Sequence, residues 1–171
     1  DIGLSEKEYI LVTIHRQENV DNKDRFRGIL GGLAKISHEY DYKIIYPIHP
    51  RSKKMIQNLQ LQSELDKINN LITCDPIGYL EFLQLEDNAR LIATDSGGIQ
   101  EEACILGVPC ITLRDNTERP ETIDVGANLL AGTDPTNIFS MAKIMISEKT
   151  NWKNPFGDGS SSKRIVDIIA K

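Results

Sequence analysis

Short apolar runs alternate with longer amphipathic stretches along the chain. The runs are four to six residues long and rich in Ile, Leu, Val and Tyr, which is typical of buried strands. Between them, apolar residues recur every three or four positions, as on one face of a helix. The runs lie at 9–14, 43–48, 71–74, 90–94, 110–113 and 128–131.

The amphipathic stretches supply the predicted helices. In the first of them, Asp21 or Asn22 can cap a helix that turns Phe26, Ile29 and Leu33 inward. Because strands alternate with helices, the pattern predicts a doubly wound, Rossmann-like α/β fold, in which helices cover both faces of a parallel sheet. Further helices are predicted around 55–59, 79–83, 99–106, 138–146 and 163–169, and a short one begins at 119–121, where proline suits the first turn.

Polar residues or glycines follow most of the predicted strands. They include His15, His49, Gly78, Ser96 and Arg119. Folds of this class bind ligands outside the carboxyl ends of their strands. We therefore expect these five positions to converge on one edge of the sheet.

The turn after the fourth apolar run is the most informative stretch. Gly97 and Gly98 lead from the run into a helix, so backbone N–H groups can approach a ligand closely, and a helix N-terminus favours a phosphate. Ser96 can cap the helix or bind a phosphate oxygen. Glu102, one turn further on, can accept hydrogen bonds from ribose hydroxyls, whereas Glu101 should be solvated. The alternative is a plain capped turn with two surface carboxylates.

Composition narrows the class of protein. A chain of 171 residues fits one domain, and its net charge of −5 argues against a nucleic-acid surface. It contains no apolar run long enough to span a membrane and nothing like a signal peptide at its start. Because the first residue is not methionine, we expect the chain to be part of a longer protein.

Cysteine usage predicts a reducing compartment. Cys74, Cys104 and Cys110 lie in or beside apolar runs, where cysteines are usually buried and reduced. Neither they nor the histidines have metal-binding spacing. We therefore predict a cytoplasmic protein without a metal or cofactor.

Individual side chains leave alternatives open. His15 could donate to a phosphate or act as general acid, or it could merely end a strand. Arg16 could bind an anion or pair with Glu18, and His49 could simply shape an Ile-His-Pro turn. Phe82, placed on the inner side of its helix with Tyr79 and Leu83, could line a base pocket or belong to the core. Arg119 could bind phosphate or pair with a carboxylate such as Glu118.

Four motifs occur in an order that resembles a known family. They are 13–19 (TIHRQEN), 94–103 (TDSGGIQEEA), 117–121 (TERPE) and 154–159 (NPFGDG). Together they resemble the C-terminal half of the non-hydrolysing UDP-N-acetylglucosamine 2-epimerases, over nearly the whole chain. The resemblance implies a glycosyltransferase-B-like enzyme of two Rossmann-like domains, with residues 1–171 as the single UDP-binding domain. The N-terminal partner domain would then lie outside this chain.

The resemblance also implies a reaction. The family converts UDP-N-acetylglucosamine to UDP-N-acetylmannosamine by eliminating UDP and adding it back on the opposite face. The family's acid/base carboxylates belong to the N-terminal domain, so this chain alone should be inactive. The full-length enzyme is expected to be a cytoplasmic homodimer in cell-surface polysaccharide biosynthesis.

The resemblance assigns roles to individual residues. His15 would assist the departing UDP, while Arg16 and His49 resemble residues that contact a second, allosteric UDP-sugar. Gln17 stands where many members carry arginine. The predicted UDP ligands are Ile77 and Phe82 for uracil, Ser96, Gly97 and Gly98 for the pyrophosphate, Glu102 for the ribose and Arg119 for the phosphates.

Three other functions are considered. A UDP-sugar-dependent glycosyltransferase domain could carry a similar Gly-rich turn, and a non-catalytic nucleotide-sugar-binding module could use the same site. An NAD-dependent enzyme is less favoured, because no GxGxxG follows the first predicted strand.

Overall fold

The computed structural model describes residues 6–147 and 151–170. Its centre is a six-stranded, all-parallel sheet with the strand order β3-β2-β1-β4-β5-β6, the order of a Rossmann fold. All six predicted strands are confirmed. Their bounds are β1 Tyr9–Thr13, β2 Lys43–Pro47, β3 Leu71–Cys74, β4 Leu91–Thr94, β5 Cys110–Thr112 and β6 Asn128–Leu130.

Several apolar runs extend one residue beyond the strand they predict. Ile14, Ile48, Leu113 and Ala131 are buried although they follow the last paired residue of their strands. Ile48, Leu113 and Ala131 still donate their backbone N–H groups to a neighbouring strand, so the apolar pattern follows burial and does not mark the residue at which a strand ends.

The helices separate the strands as the pattern predicts. Two short ones were not predicted: α1 replaces part of the expected polar loop after β1, and α4 follows α3. The helices are α1 Gln17–Val20, α2 Lys23–Glu39, α3 Pro50–Asn58, α4 Gln62–Leu65, α5 Tyr79–Asp87, α6 Gly97–Leu106, α7 Pro120–Asp124, α8 Pro135–Ser147 and α9 Ser161–Ile169.

The sheet carries a core on each face, which confirms the doubly wound architecture. Alternate side chains of β1 point to opposite sides, so that Ile10 and Val12 join one core while Tyr9 and Leu11 join the other. The larger core packs under α2 and α8. The smaller one packs under α5 and α6, where Ala103 is buried and Ile99 and Leu106 are partly buried.

The strand order creates a crevice between β1 and β4. These strands are neighbours in the sheet, with Thr13 opposite Thr94, but their chains continue in opposite directions, to β2 and to β5. The loops that follow β1 and β4 therefore diverge at the carboxyl edge, which is where doubly wound folds bind ligands.

The polarity of α5 differs from the prediction. Tyr79, expected on the inner side, is 64% exposed, and the fully buried side chain of the helix is Glu86. Phe82 and Leu83 are partly buried. The spacing of the apolar residues therefore predicted the helix and the inward position of Phe82 correctly, but it misplaced Tyr79 and missed the buried Glu86.

The last helix presents an apolar face to solvent. In α9, Ile165, Val166, Ile168 and Ile169 are all exposed. No helix in residues 6–147 and 151–170 has the length and apolarity needed to cross a membrane. Cys104 and Cys110 are buried as predicted, Cys74 is partly exposed, and all three are free thiols.

Helix α2 provides a paired test of packing. Its N-cap is Asn22, whose Oδ1 accepts from the backbone N–H groups of Asp24 and Arg25. A Cβ at Gly28 would lie 2.2 Å from the backbone oxygen of Thr133, whereas one at Gly31 would make ordinary contacts with Pro135 at 3.6 Å.

We expect Gly28→Ala to lower the free energy of unfolding by about 1–3 kcal/mol, because backbone must move to admit the methyl group. Gly31→Ala should raise it by about 0.5–1 kcal/mol, since alanine is the better helix former. Urea titrations monitored by circular dichroism measure both. Changes of the same sign in the two variants would contradict the packing described.

Candidate functional site

The N-terminus of α6 is an open turn. Ser96 occupies the N-cap position, and its backbone N–H donates to Oγ1 of Thr94 at 2.9 Å, but its hydroxyl does not cap the helix. A Cβ at Gly98 would meet nothing within 4 Å, and one at Gly97 would make only ordinary contacts, the nearest at 3.5 Å from Glu118. Protein packing therefore requires neither glycine, which favours a ligand that needs close approach to the backbone.

Asp95 ties the two loops of the crevice together. Its carboxylate is fully buried and accepts from the backbone N–H groups of His15 (3.1 Å) and Arg16 (2.9 Å) and from Nδ2 of Asn19 (3.0 Å). The loop after β1 is thus anchored to the residue that follows β4. Sequence reasoning assigned no role to Asp95, although a charged residue directly after a buried strand is an available signal.

His15 lies at the mouth of the crevice. Its Nδ1 is 3.5 Å from Oδ1 of Asp95, and its side chain is 36% exposed. Burial lowers the pKa of the His15 imidazole below its usual value, and the Asp95 carboxylate partly opposes that shift. The ring of His49 lies beside it, with 5.7 Å between the two centroids.

Two neighbours of His15, His49 and Arg16, make hydrogen bonds that stabilise the local structure. Nδ1 of His49 accepts from the backbone N–H of Arg51 and caps α3, so the turn interpretation is correct for that nitrogen. Arg16 donates its Nε to the backbone oxygen of Asp95 at 3.2 Å and does not pair with Glu18.

Arg119 lies beside the Gly-rich turn. Its Nε is 2.5 Å from Oε1 of Glu101, so the expectation of a solvated Glu101 is wrong: α6 turns this carboxylate toward α7. Glu118, the partner considered for Arg119, pairs with Arg114 instead, at 2.8 Å. Arg119 is therefore held next to Gly97 by a side chain of α6 itself.

Glu102 projects from α6 toward α5. It is partly buried, and the hydroxyl of Tyr79 donates to its Oε1 at 3.3 Å. Tyr79 is a candidate site residue that sequence reasoning placed in the core. Ile77 is 37% exposed just before α5, and Phe82 is partly buried against the smaller core.

The structure thus brings most of the predicted residues to one edge. His15 is connected to the Gly-rich turn by its contact with Asp95. Arg119 contacts α6 directly, through Glu101. Tyr79 connects Glu102 to α5. No cluster of three or more metal-ligating side chains occurs within the described part of the chain.

The chain matches one sequence family over nearly its full length. The family, described as UDP-N-acetylglucosamine 2-epimerase, matches residues 1–170. A curated UDP-N-acetylglucosamine 2-epimerase from Methanocaldococcus jannaschii is 55% identical over 95% of this chain, but the match covers only 44% of that protein. The chain therefore spans about half the length of the curated relatives it matches.

Solved structures agree with the sequence comparison. A crystal structure of the Methanocaldococcus jannaschii UDP-GlcNAc 2-epimerase in complex with UDP-GlcNAc and UDP superposes with a TM-score of 0.89 at 54% identity, over 96% of this chain and 46% of that one. The Neisseria meningitidis UDP-GlcNAc 2-epimerase bound to UDP-GlcNAc gives a TM-score of 0.81 at 34% identity, over 96% and 45% of the two chains.

Proposed function

Because the chain belongs to the UDP-N-acetylglucosamine 2-epimerase family, we propose that it is the UDP-binding C-terminal half of an enzyme that interconverts UDP-N-acetylglucosamine and UDP-N-acetylmannosamine. One observation carries the proposal: the first turn of α6 holds two glycines that no packing requires, with Glu102 one turn beyond them. That spacing suits a pyrophosphate followed by a ribose.

The proposed UDP-binding site runs along the carboxyl edge of the sheet. The backbone N–H groups of Gly97 and Gly98, with the hydroxyl of Ser96, bind the pyrophosphate, and the helix dipole favours its charge. Arg119 adds a positive charge beside this turn. Glu102 accepts from the ribose hydroxyls, and Ile77 and Phe82 line the uracil site.

His15 is the proposed catalytic residue of this half. Negative charge grows on the leaving β-phosphate as the bond from C1 to oxygen breaks, and a hydrogen-bond donor placed there stabilises it. Burial lowers the pKa of His15 in the free protein. An arriving pyrophosphate opposes that shift, because a nearby anion favours the protonated imidazole. UDP would thus help to charge the group that assists its departure.

The remaining chemistry lies outside this chain in our proposal. The acid/base carboxylates at the sugar belong to an N-terminal domain, and residues 1–171 form a single domain that is inactive alone. Allosteric contacts by Arg16 and His49, a homodimeric full-length enzyme, a cytoplasmic location and a role in cell-surface polysaccharide synthesis stay predictions.

Gly98→Ala tests the proposed pyrophosphate-binding site. Because the position is open and helical, the variant should be at least as stable as the wild type in urea. Its UDP affinity, measured by calorimetry, should fall by at least about tenfold, since the methyl group separates the phosphate from the backbone donors. Gly31→Ala is the matched control, an identical substitution in a helix far from the turn, and should bind UDP as the wild type does.

Two results would contradict the proposal. One is a wild-type chain that binds no UDP at millimolar concentration even after the missing half is supplied as a separate protein. The other is wild-type affinity in Gly98→Ala, which would mean that the glycines merely form a turn.

A further inference from the structure

A second carboxyl group lies beside Glu102 and has no part in the function proposed above. Glu86, on the last turn of α5, is 0% exposed. The carboxyl group of Glu102 on α6 lies within hydrogen-bonding reach of it. No side chain or backbone group of the described residues donates to either oxygen of Glu86. Two carboxyl groups of the described residues therefore lie close together, and the buried one has no donor.

Such a pair is stable when one member keeps its proton. A buried carboxylate without a donor is costly, and a second negative charge beside it adds repulsion. Burial, with Glu102 as the second cause, raises the pKa of Glu86 to about 8. Glu86 is therefore mainly a neutral acid at pH 7, with one proton to donate.

The other titratable groups around Glu86 do not change their charge near pH 8. They are Tyr79 on its own helix and Cys110 on β5. Glu102 raises the pKa of the Tyr79 hydroxyl, and burial raises that of the Cys110 thiol, so both groups stay neutral through pH 8.

We propose that Glu86 donates its proton in a hydrogen bond to the Glu102 carboxylate and so holds Glu102 in position for the ribose of UDP. Tyr79, two helical turns before Glu86 on the same side of α5, donates to Oε1 of the same carboxylate. Helix α5 thus fixes Glu102 with two donors. The inference rests on the proposed function, because it requires Glu102 to be a ribose ligand. Glu86 is a positioning residue and does not touch the nucleotide.

The test is the pH profile of UDP affinity in the wild type and in Glu86→Gln. As pH rises from 7 to 9, the protonated fraction of Glu86 falls, and wild-type affinity should weaken about tenfold. Glu86→Gln keeps a neutral donor at every pH, so it should bind like the wild type at pH 7 and lack this loss. Titration of the phosphate and uracil of UDP affects both proteins equally, so it cancels in the ratio of their UDP dissociation constants.

Two further variants test whether Glu86 acts by donating a hydrogen bond to Glu102, and not merely by filling buried space or by its charge. Glu86→Leu fills the buried space but cannot donate, so it should bind about tenfold more weakly than the wild type at pH 7 and show no loss from Glu86 ionisation. Asp87→Asn removes a charge from the next, exposed residue of α5 and should keep the wild-type profile. Circular dichroism at each pH verifies that every variant is folded.

The outcomes distinguish this inference from the proposed function. Parallel profiles for the wild type and Glu86→Gln, or tight binding by Glu86→Leu, overturn the inference alone. A folded wild type that binds no UDP at pH 7, even after the missing half is supplied as a separate protein, overturns the proposed function as well.

Discussion

Replacing Asp95 by alanine should lower the free energy of unfolding by about 3–5 kcal/mol. The carboxylate is fully buried and accepts hydrogen bonds from the backbone of His15 and Arg16 and from the Asn19 amide. Alanine would leave one buried and two part-buried donors without their acceptor, and each buried, unsatisfied donor costs about 1–3 kcal/mol. Urea denaturation followed by circular dichroism measures the change.

Asp115→Ala is the matched control. Asp115 also bonds an arginine, with Nη1 of Arg25 at 2.7 Å, but its side chain is 69% exposed. An exposed ion pair contributes about 0–1 kcal/mol, so this variant should unfold close to the wild type. If the two substitutions destabilise the chain equally, Asp95 is not the anchor that we describe.

Glu102→Ala should weaken UDP binding by about a hundredfold while the chain stays folded. Hydrogen bonds to a charged acceptor contribute about 1.5–3 kcal/mol each, and the ribose offers two hydroxyl donors, so a loss near 3 kcal/mol is a low estimate. The side chain is only partly buried and its donor Tyr79 is exposed, so the main cost is about 1–3 kcal/mol for the buried Glu86 left without an acceptor, and the chain should stay folded. Calorimetric titration of UDP gives the affinity.

A ligand change tests whether the loss arises at the ribose. The wild type should bind 2′-deoxyuridine diphosphate about tenfold more weakly than UDP, because one hydroxyl donor is missing. Glu102→Ala should bind the two nucleotides with equal affinity. Continued discrimination by the variant would place the ribose contact on another residue.

The sheet was predictable from sequence because its four central strands, β1, β2, β4 and β5, are buried on both faces. Such strands appear as uninterrupted apolar runs, and their alternation with helical spacing determines the parallel, doubly wound class. The buried face of α5 was not predictable in the same way. Apolar spacing placed Tyr79 inside, but the structure exposes Tyr79 and buries Glu86, whose environment depends on a carboxyl group contributed by another helix.

The site was predictable to the extent that its parts are local. Ser96, Gly97, Gly98 and Glu102 lie within seven consecutive residues, so spacing alone places them together. The contacts of Asp95 are different, since its partners come from the loop after β1. Likewise, Glu101 looked solvated because its partner Arg119 comes from another part of the chain, just before α7. Pairings of this kind appear only once the strand order is known.

The pairing of β1 with β4 also determines when the site can form during synthesis. Thr13 and Thr94, whose hydroxyls bond each other, are 81 residues apart, and β2 and β3 are made between them. Closing a loop of that length precedes any gain from the contact, so the step is slow compared with pairing β1 to β2. Since domains emerge from the ribosome N-terminus first, a growing chain exposes one edge of β1 until β4 has been made. A chain halted before residue 94 therefore carries an aggregation-prone strand edge and not half of a nucleotide site.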